Sequence, residues 1–200
     1  LVGAVLMNNA ATGSGGGVYT RAGSVTLREG SKLSNNTAGS SGGGLYNEGG
    51  IVTVSSSTIE LNDAGSSGGS VFNQNGTMTF NRATLFANTA ISAGGGVYNQ
   101  TGALSFFNST ISTNDADVDG GALYNDGGTV TFASSTVANN LSEGVVNGSG
   151  IVTLRNSLIG GNSGVDCSGT LASAGYNLIQ NLTCTLTGDA TGNLSGINPQ

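Results

Sequence analysis

The chain has 200 residues, 36 of them glycine and one proline, with 8% charged and 36% hydrophobic residues and a net charge of −6. Glycine without a three-residue period excludes collagen, and this apolar content with so little charge excludes a disordered linker. Five Lys and Arg in all exclude nucleic acid, which needs clustered cations to displace counterions, and adhesion to anionic lipid. No apolar run is long enough to span a bilayer.

In chain order, Leu1–Met7 reads as a strand. It is too short, and lacks the cationic flank, for a signal peptide. Leu6 and Asn9 precede Leu33 and Asn36 by 27 residues. The chain is therefore expected to begin partway through a repeat, as a fragment or mature form of something longer. The repeat shows itself at Gly15-Gly16-Gly17-Val18-Tyr19-Thr20. It returns at Gly42–Asn47, Gly68–Asn73, Gly94–Asn99 and Gly120–Asn125. The aromatics Tyr19, Tyr46, Phe72, Tyr98 and Tyr124 are separated by 27, 26, 26 and 26 residues. A fixed period of this size means stacked supersecondary units.

Within one unit, Gly44–Asn47, Ile51–Ser55 and Thr58–Leu61 are apolar segments separated by small polar turns, and Asn62–Ser67 is a return loop. Alternation of Val, Thr and Phe in the middle segment (Val52-Thr53-Val54, Met78-Thr79-Phe80, Val130-Thr131-Phe132) predicts half-buried strands. The third segment repeats Leu33, Ile59, Leu85, Ile111, Val137 and Ile159. Three strands per turn, in register with the next turn, predict an all-β single-stranded parallel β-helix rising about 4.8 Å per coil over residues 1–162. A lone coil buries too little apolar surface to offset the ordering of its backbone, so neighbours must supply the rest.

Two asparagine columns accompany the strands. One is Asn36, Asn62, Asn88, Asn114 and Asn140; the other is Asn47, Asn73, Asn99 and Asn125. They are expected at turns, where Asn tolerates left-handed backbone, and as stacked hydrogen-bonding ladders. The aromatic column has two possible settings. Strict alternation from Leu45 and Asn47 turns Tyr46 outward, onto a face suited to sugar rings or a partner protein. A bend at the glycines places the column in the core or under the return loop, which is the expectation adopted. The outward Thr26, Thr53, Thr79, Thr131 and Thr153 lack the aligned second column that ice binding requires, and threonine neighbours stabilise strands anyway.

Asp115-Ala116-Asp117-Val118-Asp119-Gly120 resembles the first half of a calcium loop, in which alternate carboxylates converge on one cation. Asp115, Asp117 and Asp119 are the candidate ligands for calcium, with an exposed acidic loop that limits aggregation as the alternative; no other cofactor is expected. After Asn162 the rhythm breaks, and 163–200 reads as an irregular segment covering the end of the solenoid. Its two cysteines, Cys167 and Cys184, are expected to pair, which implies an oxidising compartment; free thiols are the alternative.

The runs Gly42–Asn47, Val52–Ser55 and Ser57–Ile59 resemble right-handed parallel β-helix surface proteins of bacteria, similar to polymorphic outer-membrane proteins and autotransporter passengers. Asp166-Cys167-Ser168-Gly169, Gly175-Tyr176-Asn177-Leu178-Ile179, Cys184 and Gly196-Ile197-Asn198-Pro199 resemble the close of such repeats before a surface-anchoring segment. The resemblance implies a secreted or cell-surface protein with a structural or adhesive role. Self-association or other surface proteins are the expected partners. The alternative is a carbohydrate-binding or, with less support, carbohydrate-cleaving module. The chain has no His, and its carboxylates are mostly single residues in turns, whereas a glycosidase needs two facing each other across a cleft. No enzyme is expected.

Overall fold

Alternation decides which way each strand faces. In Ile51–Ser55, Val52 and Val54 are fully buried while Ile51 lies exposed. The same pattern holds in Thr77–Asn81 and Thr129–Ala133. A computed structural model, which describes residues 1–199, resolves these segments into short parallel strands with no helix. The result is a β-solenoid. Every repeat strand pairs with its equivalents one coil before and one coil after, so Ile59 stands beside Leu33 and Leu85, and Phe106 beside Phe80 and Phe132.

The expected three strands per coil become four. Asp63–Ala64 in the return loop pairs with Thr37–Ala38 and Thr89–Ala90, forming a five-stranded sheet from Ala10–Ala11 to Asp115–Ala116. Its buried positions are Ala38, Ala64, Ala90 and Ala116. Small side chains let this strand lie directly on the glycine motif. A Cβ on Gly95 would come within 2.1 Å of the Asp115 carbonyl oxygen, so the middle glycine of the motif is fixed by close approach of two backbones. The third position is looser, being Gly44, Ser70, Gly96 and Ala122 in successive coils.

Ser70 shows the limit of that looseness. It is completely buried, and its hydroxyl has no hydrogen-bond partner. An unpaired buried hydroxyl costs about 1–3 kcal/mol. Ser70→Ala is therefore expected to stabilise the protein by about 1 kcal/mol or more, read as a higher denaturation midpoint. A midpoint that falls would mean that the hydroxyl has a partner.

Coil size holds at 27 or 26 residues and then shrinks. The step between equivalent residues is 27 at Asn9–Asn36 and 26 at Asn36–Asn62. It becomes 22 at Asn140–Asn162, 20 at Ser157–Asn177 and 16 at Asn177–Asn193. Residues 163–199, expected as an irregular closing segment, thus carry the sheets onward in shorter coils. Cys167–Ala174 is one eight-residue strand that pairs with both Val145–Asn147 and Ile151–Arg155, straightening a corner that earlier coils turn. Thr185–Asp189 pairs with it in turn. The Cys167–Cys184 disulfide forms as expected, across 17 residues with Cα atoms 5.2 Å apart, and ties these two neighbouring coils together.

The core is a column of apolar side chains along the axis, including the stacked rings of Phe80, Phe106 and Phe132 with centroids 4.5 and 4.9 Å apart. Besides the first glycine of the motif (Gly15, Gly42, Gly68, Gly94 and Gly120, at φ 63 to 75), two corners of each coil take left-handed backbone. One is Ser56, Arg82, Asn108, Ser134 and Asn156, at φ 45 to 53; the other is Asn35, Leu61, Ala87, Thr113 and Asn139, at φ 52 to 58. The second corner precedes the buried asparagine column by one residue. The ladder asparagines are not themselves the left-handed residues, contrary to the sequence expectation, and their side chains are freed for another task.

Candidate functional site

Asn36, Asn62, Asn88, Asn114 and Asn140 are fully buried or nearly so. Each Nδ2 donates to the Oδ1 of the next asparagine at 2.8–3.1 Å. Each backbone N–H donates to that same Oδ1 at 3.0 Å. The other amide hydrogen is accepted by a main-chain carbonyl, as Asn88 Nδ2 donates to Ile59 O at 3.1 Å. Buried amides are tolerable only when satisfied in this way.

Every bond runs in one direction, so the last rung needs a group that only accepts. Asp166 is that group. It is buried, and Oδ1 accepts Asn162 Nδ2 at 2.8 Å while Oδ2 accepts the Asn181 N–H at 2.7 Å. An ionised carboxylate has no proton to donate and accepts at both oxygens.

The second ladder clamps a turn as well. Asn47 Nδ2 donates to Asn73 Oδ1 at 2.9 Å and to Gly50 O at 3.1 Å, and Asn47 Oδ1 accepts the Gly50 N–H at 2.9 Å. Asn73, Asn99 and Asn125 repeat the donation to the glycine three residues on. A Cβ on Gly76 would lie 2.1 Å from Asn47 Nδ2. The recurring Asn-x-x-Gly at Asn47–Gly50, Asn73–Gly76, Asn99–Gly102 and Asn125–Gly128 is the sequence signal for this clamp.

Beside this ladder stands the aromatic column, and it faces outward. Leu45 and Asn47 point in, and Tyr46 between them points out and is half-buried. The column thus lies outside the apolar core, with Phe72 buried at 8% exposure between its neighbours, because the strand keeps its alternation through the glycine motif. Tyr19, Tyr46, Phe72, Tyr98 and Tyr124 stack with centroids 4.9–5.3 Å apart and planes within 11° of parallel. Val146 continues the column beyond Tyr124. Neighbouring rings cover one another's faces, and the tyrosines keep part of their surface toward solvent while Phe72 is buried between them. Tyr46 donates to Gln74 Oε1 at 2.9 Å, Tyr19 donates to Glu48, and Glu48 also pairs with Arg21 at 3.2 Å. Such a stack cannot offer an open ring face to a sugar except at Tyr19, which is 49% exposed.

The phenols of Tyr19, Tyr46 and Tyr98 are hard to ionise. Burial, aided by Asp126, pushes Tyr98 up to about 12. The bond to Glu48 raises Tyr19, and burial raises Tyr46. A phenol that ionises at its ordinary 10 when unfolded and near 12 when folded gives stability that is whole below pH 10. That stability is lost as pH rises through about 12. The denaturation midpoint is expected to fall across this window, and Tyr98→Phe to make the fall shallower. A fall with the same steepness in Tyr98→Phe would contradict the assignment.

The acidic run falls on the return loop. Asp115 starts the small strand and is partly buried, Asp117 is exposed, and Asp119 forms an isolated bridge with Ala93. Among the described residues no group of three or more His, Cys, Asp or Glu is placed to share an ion. The expected convergence of Asp115, Asp117 and Asp119 is not formed, because the strand at Asp115–Ala116 spreads alternate residues along the coil. Scans against models of known families, and searches of curated proteins and of solved structures, found no match to this chain.

Proposed function

We propose that the chain is a rigid segment of an extracellular bacterial surface protein, serving as a stalk, fibre or filament subunit with a structural or adhesive role. The observation that carries this reading is the pair of hydrogen-bonded ladders running from coil to coil, Asn9 through Asp166 and Asn47 through Asn147. Bending one coil against the next would break buried bonds on both ladders, so the natural use of the fold is to hold two points apart. The disulfide supports an oxidising compartment, and the resemblance of the glycine-aromatic repeats supports the surface location. Two of the five cations are engaged by carboxylates one coil away, Arg21 by Glu48 and Lys32 by Glu60, an arrangement that stabilises coils and leaves those groups unfit as bases.

Electron microscopy of the purified chain at rising concentration, with and without calcium, tests the reading. Straight rods of constant length support a stalk, and end-to-end filaments support a subunit of a fibre. Bent or globular particles would overturn both.

A further inference from the structure

The cations not engaged across coils lie along one edge of the rod, Arg28 and Arg155 at the end of the middle strand and Arg82 on the left-handed corner that follows it. Arg28 approaches only its neighbour Glu29, at 3.8 Å. Arg82 and Arg155 are exposed and make no ion pair among the described residues. Aromatic rings stand next to them. Phe107, one coil after Arg82, is 40% exposed, and Tyr176, one coil after Arg155, is 63% exposed. An arginine and an exposed ring one coil on therefore adjoin twice along this edge, three coils or about 14 Å apart, with their places exchanged: Arg82 on the corner and Phe107 ending the strand, then Arg155 ending the strand and Tyr176 on the corner.

These rings differ from the outward stack, because neither stacks on another ring. Tyr176 is also fixed in place. It holds φ 58 where Asn108 and Asn156 occupy equivalent corners, and its ring lies against Gly192, where a Cβ would come within 2.4 Å of it. Ala133, Ser134, Arg155, Asn156 and Tyr176 line an open groove of about 380 Å3. Asn156 Nδ2 donates to Ser134 Oγ at 3.1 Å across its floor. Asp189, paired with Ala174 in the next coil, marks the far end of the basic strip.

We propose that this edge binds a linear polysaccharide bearing carboxylates, a uronate polymer, laid along the rod axis. The guanidinium fork matches a carboxylate with two parallel hydrogen bonds. An exposed ring adjacent to it offers the apolar surface on which a sugar face packs. Three arginines on a chain of net charge −6 are too few for nucleic acid, whose binding rests on many phosphate contacts. The proposal adds a ligand to the stalk reading without depending on it, since a rod that ignores uronates is still a rod.

Calorimetric titration of the whole chain with galacturonate oligomers tests the site. Oligomers long enough to span both steps should bind more tightly than dimers. Arg82→Gln with Arg155→Gln should weaken binding by about tenfold or more, while Arg21→Gln, on the aromatic face, should leave it unchanged. Tyr176→Asn keeps a residue suited to left-handed backbone and removes the ring, and should also weaken binding; circular dichroism confirms the fold of each variant. Absence of heat with long oligomers, equal affinity for a neutral glucan or for single-stranded DNA, or an unchanged double-arginine variant would each overturn the proposal.

Discussion

Phe106→Ala is expected to cost about 3–5 kcal/mol of stability, the usual result of emptying a large aromatic site that cannot collapse. Phe106 is fully buried between Phe80 and Phe132, at centroid distances of 4.5 and 4.9 Å. Both neighbours sit on strands held in register from either side, so neither can move to fill the gap. The adjacent Phe107 supplies the control. It has the same side chain on the opposite face and is 40% exposed, so Phe107→Ala should shift stability by only about 0.5 kcal/mol. Equilibrium denaturation of the two variants reads the difference. Equal costs would mean that the strand does not alternate as described.

Asn88→Ala should do comparable damage without removing any apolar group. Its Oδ1 accepts from the Asn62 N–H at 3.0 Å and from Asn62 Nδ2 at 2.9 Å, and its Nδ2 reaches Asn114 Oδ1 at 2.9 Å. Truncation strands at least two donors in the interior, each at about 1–3 kcal/mol, for a total of about 2–6 kcal/mol. Asn75, in an exposed turn, is the matching control, with an expected effect of about 0.5 kcal/mol or less. A loss at Asn88 no greater than at Asn75 would mean that the amide column does not bond from coil to coil.

The register of the solenoid was legible because apolar identity repeats at the coil spacing. Leu33, Ile59, Leu85, Ile111, Val137 and Ile159 align in the sequence and pair in space. The fourth strand was not, since two residues carry no period of their own. Its trace was the Ala38, Ala64, Ala90 and Ala116 column, visible only by comparing coils. The aromatic face was misplaced because a buried asparagine is an unlikely partner for Leu45. Once Asn47 is known to be satisfied inside, Tyr46 must point out. Asp166 could not be found from its own surroundings in sequence. Its role follows from the direction in which every amide above it donates, a property of the assembled ladder. The tail hid for a similar reason, because steps of 22, 20 and 16 residues break the period that reveals the other coils.

The ladder also decides what the rod can tolerate at its corners. Left-handed backbone at Leu61, Ala87 and Thr113 is costly for such side chains. It persists because the next residue in each case, Asn62, Asn88 or Asn114, is locked to the coils on both sides. Local strain at the corner is thus offset by hydrogen bonds that exist only between coils.

Hydrogen exchange at the backbone amides of Asn36, Asn62, Asn88 and Asn114 tests the central claim most directly. These N–H groups lie at tight corners and donate to a side chain, the next asparagine's Oδ1, at 3.0 Å. The ladder predicts that they are as protected as strand amides such as Phe80 and Phe106, opening only when the whole rod unfolds. Exchange at the rate of surface turns, with the strands still protected, would show that the coils are held by sheet bonds alone and would contradict the account.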